Sequence, residues 1–180
     1  MNALETLKKY TTKPNLIKHA IAVAATMRHF AKLEGEDEEF WSNVGMLHDI
    51  DYEMWPDTHC HKCVEILKAE GYDERTIHAV QSHGYELCCE VKPENYMEMV
   101  LGTIDQLTGF IIACALIRPE KKLLNVELSS MQKRWKSPSF AMGTQRERIE
   151  RWCERMGKSL DYMLVETHKA LLGISDELGL

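Results

Sequence analysis

Two histidines and two aspartates lie in segments of the chain that are otherwise apolar. They are His19, the neighbouring pair His48 and Asp49, and Asp105. One such residue alone would be explained by a hydrogen bond to the backbone, but here three separate segments carry them. A buried carboxylate needs a compensating group, and one divalent cation could serve both aspartates. Because two imidazoles and two carboxylates suit Mn, Fe, Co, Ni or Zn, the sequence predicts a transition-metal site.

The elements that must position these side chains are predicted to be helices. Glycines number ten and prolines five, and strand-like alternation is hard to find. His19 follows Leu16 by three residues and precedes Val23 by four, which places it on the apolar face of a helix over 14–33. Further helices are predicted over 36–49, 59–69, 73–82, 94–117, 125–134, 144–156 and 158–172. Since the connections are short, we expect one compact all-α domain.

The composition limits the class and location of the protein. Of 180 residues, 44% are hydrophobic and 28% are charged, which is typical of a globular chain and not of a disordered one. No stretch approaches the roughly 20 apolar residues of a membrane span. The N-terminus lacks the apolar core of a signal peptide. We therefore expect a cytoplasmic protein without a membrane partner.

Charge is distributed unevenly along the chain. The formal net charge is −6, yet residues 118–158 hold eleven Lys/Arg and five Asp/Glu. A basic region on an acidic chain argues against general nucleic-acid binding and is compatible with a local site for a phosphate. The candidate phosphate-binding residues are Lys122, Lys136 and Arg146. Each of them has the alternative of being an ordinary solvated charge.

The order and spacing of these residues resemble the HD-domain superfamily of metal-dependent phosphohydrolases. The local strings that carry the resemblance are Lys18-His19-Ala20, Met46 to Glu53, Ser82-His83-Gly84 and Thr103 to Gly109. The resemblance implies an all-α HD-domain bundle in a single domain over 1–180. Its core would span about 14–120, followed by a helical extension over about 121–180. It also implies a metal bound by His19, His48, Asp49 and Asp105.

A second metal ion is a further implication of the resemblance. Some branches of the superfamily add two histidines between the positions that match Asp49 and Asp105 here. In those branches the aspartate that matches Asp49 bridges two ions. This interval contains His83 and either His59 or His61. His59 is favoured because it follows Pro56-Asp57, as the corresponding histidine often does. Whether one or two ions bind stays open, since His83 could also be a histidine that favours a helix C-terminus.

The chemistry implied is hydrolysis of a small phosphate ester, with a nucleotide as the first expectation. A metal ion lowers the pKa of bound water from 15.7 toward about 7 and so supplies hydroxide at neutral pH. Asp51 and Glu53 follow the His48–Asp49 pair closely and could orient that water or carry protons. Their alternative role is to cap the loop after the helix.

Two other functions are alternatives. An HD fold can keep its metal and sense a nucleotide without turnover. A structural zinc or redox-responsive protein would depend on Cys60, Cys63 and the Cys88-Cys89 pair. The segment from His59 to Cys63 is too crowded for a usual structural zinc site, and a helical chain lacks the strand–helix context of a redox C-x-x-C. We therefore expect the thiols to pack as small hydrophobic groups.

The partner expected from these arguments is a small phosphorylated molecule. The oligomeric state is left open by the sequence, with a homodimer as one alternative.

Overall fold

The computed structural model describes residues 2–180, and within that range every regular element is a helix. This confirms the predicted all-α class. The α-helices are α1 (Ala3–Lys8), α2 (Pro14–Glu34), α3 (Glu38–Leu47), α4 (Lys62–Ala69), α5 (Glu74–Ser82), α6 (Tyr96–Leu116), α7 (Leu128–Trp135), α8 (Arg146–Met156), α9 (Leu160–Leu172) and α10 (Ser175–Leu178). Two 3-10 turns lie at Pro56–Thr58 and Leu123–Asn125. The short helices α1 and α10 were not among the predicted segments.

The chain divides into two compact units. The first ends at Gly102, and the second spans Thr103–Leu180. The division falls within α6, where no linker interrupts the sequence. The sequence analysis expects one domain whose core ends near residue 120. The structure instead divides between Gly102 and Thr103.

Helix α2 carries His19 and has clear end signals. Pro14 occupies the first turn, where its missing N–H costs nothing. The helix ends at Gly35, whose φ of 70° is a left-handed conformation that glycine adopts without a Cβ penalty. Between these ends one face of the helix is buried, including Ala20, Val23 and Met27. His19 lies next to that face and stays half-buried.

Helix α3 delivers His48 and Asp49 at its carboxyl end. Its N-cap is Asp37, whose side chain accepts the backbone N–H groups of Glu39 and Phe40 at 3.0 and 2.9 Å. The helix ends at Leu47, and His48 is its C-cap. Because Leu47 is fully buried, the residues that follow it emerge inside the protein.

A close approach between α2 and α3 brings the two histidines together. A Cβ placed on Gly45 would lie 2.9 Å from Met27 Cγ, 3.0 Å from Ala24 Cα and 3.1 Å from Val23 O. Only glycine therefore fits at this helix crossing. The absence of a side chain at position 45 lets α3 lie directly on the α2 backbone.

Helices α4 and α5 position the remaining histidines of the first unit. Asp73 caps α5 by accepting the N–H of Thr76 at 2.8 Å. The helix ends at Ser82, and His83 is its C-cap. His59 lies in the loop after the 3-10 turn and before α4. His48 and His83 thus directly follow the ends of α3 and α5, whereas His59 precedes α4.

Helix α6 lies within the segment 94–117 predicted from the sequence, although no segment was expected to be long and apolar enough to span a membrane. By length and composition alone Tyr96–Leu116 could cross a membrane. However, 61% of its most apolar 18-residue window is buried inside the protein, as in a core helix of a soluble protein. The apolar character of α6 is therefore accounted for by packing.

The Gly45 contact gives a first prediction. Gly45→Ala should lower the free energy of unfolding by about 1–3 kcal/mol, because overpacking a dense contact forces backbone shifts. Urea unfolding followed by circular dichroism measures this.

Gly109→Ala is the matched control, since no atom lies within 4 Å of the Cβ it would add in α6. That variant should be neutral or stabilised by up to about 1 kcal/mol, because alanine is the better helix former. Equal stability of the two variants would contradict the proposed close contact.

Candidate metal centre

Four imidazole rings of the first unit surround the carboxylate of Asp49. On one side, Oδ2 lies 3.4 Å from His48 Nε2 and 3.7 Å from His19 Nε2. On the other side, Oδ1 lies 3.4 Å from His59 Nε2 and 3.6 Å from His83 Nε2. Each carboxylate oxygen therefore has its own pair of histidine nitrogens.

The opposite nitrogens of three rings are held by hydrogen bonds. His48 Nδ1 donates to the carbonyl of Gly45 at 2.8 Å, and His83 Nδ1 donates to the carbonyl of Val80 at 2.5 Å. An imidazole that donates from Nδ1 presents a lone pair on Nε2 when it is neutral. This arrangement orients metal-binding histidines in proteins. Each carbonyl lies three residues before its histidine, so the helix end itself sets the ring.

Asp51 holds the third ring, that of His59. Its Oδ1 lies 2.7 Å from His59 Nδ1, and its Oδ2 accepts the backbone N–H of Cys63 at 2.8 Å. The side chain of Asp51 is fully buried. Both oxygens of Asp51 are therefore hydrogen-bonded behind the ring, so that Asp51 positions His59. Its expected action on water stays a prediction. The sequence analysis missed this pairing, because nothing in the spacing shows which way a loop residue points.

The charges around Asp49 favour its ionised form. Burial acts to raise the pKa of this carboxyl, but the facing imidazoles of His48 and His83 outweigh it and hold the pKa well below its ordinary value. Burial acts to lower the pKa of His59, yet the Asp51 hydrogen bond and the charge of Asp49 leave that pKa above its ordinary value. Asp49 is therefore the negatively charged group of the cluster, and four imidazole rings surround it.

The donor set fits divalent transition metals. Imidazole nitrogen and carboxylate oxygen together suit Mn, Fe, Co, Ni or Zn better than Mg or Ca. His48, Asp49 and His83 each offer an atom such that all three lie within 4.8 Å of one another. With two histidines on each oxygen, the cluster has the ligands for two ions that share Asp49.

His59 and His61 point to different surroundings. His59 Nε2 lies 3.4 Å from Asp49 Oδ1, whereas His61 Nε2 lies 3.1 Å from the backbone carbonyl of Cys88 at the surface. The residue favoured by the sequence is therefore the one that the structure brings to Asp49.

Glu53 lies at the amino end of α2 and not among the histidines. Its carboxylate accepts the backbone N–H groups of Thr12 and Lys13 at 2.9 and 3.1 Å and the Thr12 hydroxyl at 2.8 Å. The partners of Glu53 precede α2 and do not belong to the loop after α3, which was the capping role that the sequence analysis offered as an alternative. The catalytic role of Glu53 stays a prediction.

Arg146 is engaged by the backbone of its own unit. Its guanidinium donates at 2.5 to 3.5 Å to five carbonyls, those of Trp135, Ser137, Phe140, Ala141 and Thr144. A guanidinium has five N–H groups in a planar fork, and here that fork organises the loop between α7 and α8. The structure thus gives Arg146 a structural role in this loop, and its role in phosphate binding stays a prediction.

Three other predicted residues lie in the second unit. Lys122 and Lys136 are exposed, next to the 3-10 turn at Leu123–Asn125 and at the end of α7. Asp105 lies on α6 and is half-buried. Their roles as phosphate-binding residues and as a metal ligand stay predictions.

Tyr52 is a feature of the site that the sequence analysis did not assign. Its ring meets that of His59 edge-on, with the centroids 5.1 Å apart, and the side chain is 45% exposed. An exposed aromatic ring beside buried imidazoles offers an apolar surface to a bound molecule. The signal available in the sequence was its position directly between Asp51 and Glu53.

Comparison with known families supports the resemblance. The family model for the HD domain matches residues 16–125, which is more than half of the chain. The matched range includes His19, His48, Asp49, His59 and His83. No solved structure matches the chain.

The Glu53 contacts generate a prediction about pH and stability. Hydrogen bonds from Lys13 and Thr12 hold the pKa of Glu53 below its ordinary value of 4.5. The stabilisation is therefore present above pH 4.5 and is lost as the pH falls through the lower, folded-state pKa. Glu53→Gln should have a lower thermal midpoint than the wild type at pH 7, and the two should converge in acid.

Glu65→Gln serves as the control, because Glu65 is exposed and pairs with Lys62 of its own helix. This control should change stability by less than about 0.5 kcal/mol at either pH. Loss of metal-dependent hydrolysis in Glu53→Gln, with unchanged stability, would instead support the catalytic assignment.

Proposed function

We propose that this chain, which belongs to the HD domain family of metal-dependent phosphohydrolases, hydrolyses a small phosphate ester and that its substrate is a nucleotide. The observation that carries the proposal is the Asp49 carboxylate with two histidine Nε2 atoms at each of its oxygens. Ligands for two ions that share a carboxylate are typical of sites that clamp the attacking and leaving oxygens of a phosphate.

The residues of the chain prepare this chemistry by orientation and charge. A divalent ion bound here would lower the pKa of a water molecule and polarise phosphoryl oxygens. Asp49 stays ionised at neutral pH because of its imidazole neighbours. His48 and His83 keep Nε2 directed inward through their Nδ1 bonds to the backbone. Asp51 does the same for His59 through its carboxylate.

The exposed ring of Tyr52 supports a nucleotide over a smaller phosphate. A purine or pyrimidine has an apolar face that stacks on an aromatic side chain, and such stacking contributes about 1–3 kcal/mol. Tyr52 offers its ring next to His59, where the base of a substrate could lie while its phosphate is at the metal centre.

A binding protein without turnover is the second candidate. It is favoured by one observation, that both residues expected to move protons are otherwise engaged. Asp51 has both oxygens bonded behind His59, and Glu53 accepts the backbone N–H groups of Thr12 and Lys13, just before α2. A sensor would need the metal and a bound nucleotide but no proton carrier.

Turnover of a nucleotide panel separates these two functions. The protein loaded with Mn, Co or Ni should release inorganic phosphate from at least one mononucleotide. Asp49→Ala should lose this activity, because it removes the carboxylate common to both sides of the cluster. Saturable nucleotide binding by calorimetry, with no phosphate released under any of the metals, would overturn hydrolysis and establish the sensor.

The number of ions gives an independent prediction. Wild-type protein incubated with Mn should retain two equivalents by elemental analysis, and His83→Ala should retain one, because only the Oδ1 side of Asp49 loses a ligand. His61→Ala is the matched control, since its ring bonds to a surface carbonyl, and it should retain two. One equivalent in all three proteins would contradict the two-ion arrangement.

A further inference from the structure

Three cysteine thiols gather beside the histidine cluster, around Gly84. A Cβ on Gly84 would overlap the sulfurs of both Cys60 and Cys88, so the missing side chain makes room for the two thiols. The sulfurs of Cys60 and Cys88 lie within 4.8 Å of each other. Cys89 is also close, and its thiol donates to the carbonyl of Gln81 at 3.2 Å. None of this corresponds to the C-x-x-C pair of Cys60 and Cys63.

The two facing thiols differ in their access to solvent. Cys88 is exposed, whereas Cys60 is completely buried. A tight turn keeps Cys88 over Gly84, because the N–H groups of Leu87 and Cys88 both donate to the Gly84 carbonyl at 2.9 Å. A small oxidant from solvent can therefore reach Cys88 first, with Cys60 in place behind it.

Cys60 is in direct contact with the histidines. Its sulfur lies 3.8 Å from both ring nitrogens of His83, and its neighbour in the chain is His59. Its backbone has a φ of 65°, a left-handed conformation that is strained for a non-glycine residue. A change at Cys60 is thus transmitted to the two histidines on the Oδ1 side of Asp49.

We propose that Cys60 and Cys88 are a site of reversible oxidation, and that a disulfide between them weakens metal binding by His59 and His83. The oxidant is a peroxide. In the first step Cys88 loses its proton and the thiolate attacks hydrogen peroxide, which gives a Cys88 sulfenic acid and, with that proton, one water. In the second step the Cys60 thiol displaces the sulfenic hydroxyl, forming the S–S bond and a second water. Two thiol hydrogens and one peroxide become two waters, and a dithiol reductant reverses the change.

The effect on the metal centre follows from distance. An S–S bond is about 2.05 Å long, whereas the sulfurs are now separated by no more than 4.8 Å without being bonded. Closing that gap draws Cys60 toward Cys88 and away from its contact with His83. Disturbing groups that orient metal ligands typically costs about 10- to 100-fold in metal affinity. This consequence rests on the proposed metal function, whereas formation of the disulfide does not.

The test uses the full chain, reduced and free of metal. The protein is treated with hydrogen peroxide, the excess is removed with catalase, and cross-linked peptides are mapped by mass spectrometry without reduction. Mn binding is measured before oxidation, after it, and after addition of dithiothreitol. The variants are Cys88→Ser, Cys89→Ser and, as a matched control, Cys153→Ser, since Cys153 is a buried thiol of the second unit. Circular dichroism checks that each variant is folded.

The expected result is one disulfide joining Cys60 to Cys88 in the wild type, in Cys89→Ser and in Cys153→Ser, and none in Cys88→Ser. Mn affinity should fall roughly 10- to 100-fold on oxidation, recover on reduction, and stay constant in Cys88→Ser. A Cys60–Cys89 linkage, or no linkage in the wild type, would overturn the oxidation site. A Cys60–Cys88 disulfide with unchanged Mn affinity would overturn the switch. If the reduced protein binds no Mn at all, the metal function fails, while the peptide map still decides the oxidation site.

Discussion

The carboxylate of Asp49 and its four imidazole neighbours impose the main constraint on the first unit. Taking one carboxylate and several rings out of water carries a large desolvation cost, which close opposite charges and fixed hydrogen bonds must offset. His48 and His83 lower the pKa of Asp49 despite burial. The helix ends that deliver these two histidines also supply the carbonyls that hold their rings. The backbone therefore orients His48 and His83, whereas His59 is oriented by the carboxylate of Asp51.

The close packing of α3 against α2 is a second constraint on the cluster. Gly45 allows the α3 backbone to lie against α2, and its carbonyl accepts the Nδ1 hydrogen of His48. The same residue thus sets both the separation of the two helices and the orientation of a ring. A second glycine, Gly84, has a comparable role beside the cluster, where its missing side chain makes room for Cys60 and Cys88. Thiols and imidazoles consequently share one small volume, which links oxidation to metal binding.

Several side chains chosen from the sequence have contacts in the structure that the sequence did not show. Glu53 follows the His48–Asp49 pair closely, but its carboxylate accepts the backbone N–H groups of Thr12 and Lys13, just before α2. Arg146 belongs to a basic region, yet its guanidinium holds the loop before α8. Asp51 stays near the cluster but acts through His59. In each case the sequence showed the charged side chain but not its partner. The partner lies either on a segment distant in the chain or in a loop whose path the sequence does not predict.

The sequence by itself determined the helical class, most helix positions and the identity of the central residues. Helical periodicity and capping residues are local properties, and His19 or His48 on an apolar face needs an explanation in any fold. Only the tertiary structure decided which histidines meet at which oxygen of Asp49, and why His59 faces inward while His61 does not. It also decided that the sulfurs of Cys60 and Cys88, which are far apart in the sequence, lie within 4.8 Å of each other. These choices depend on how loops turn and how closely helices approach, and local spacing does not encode either.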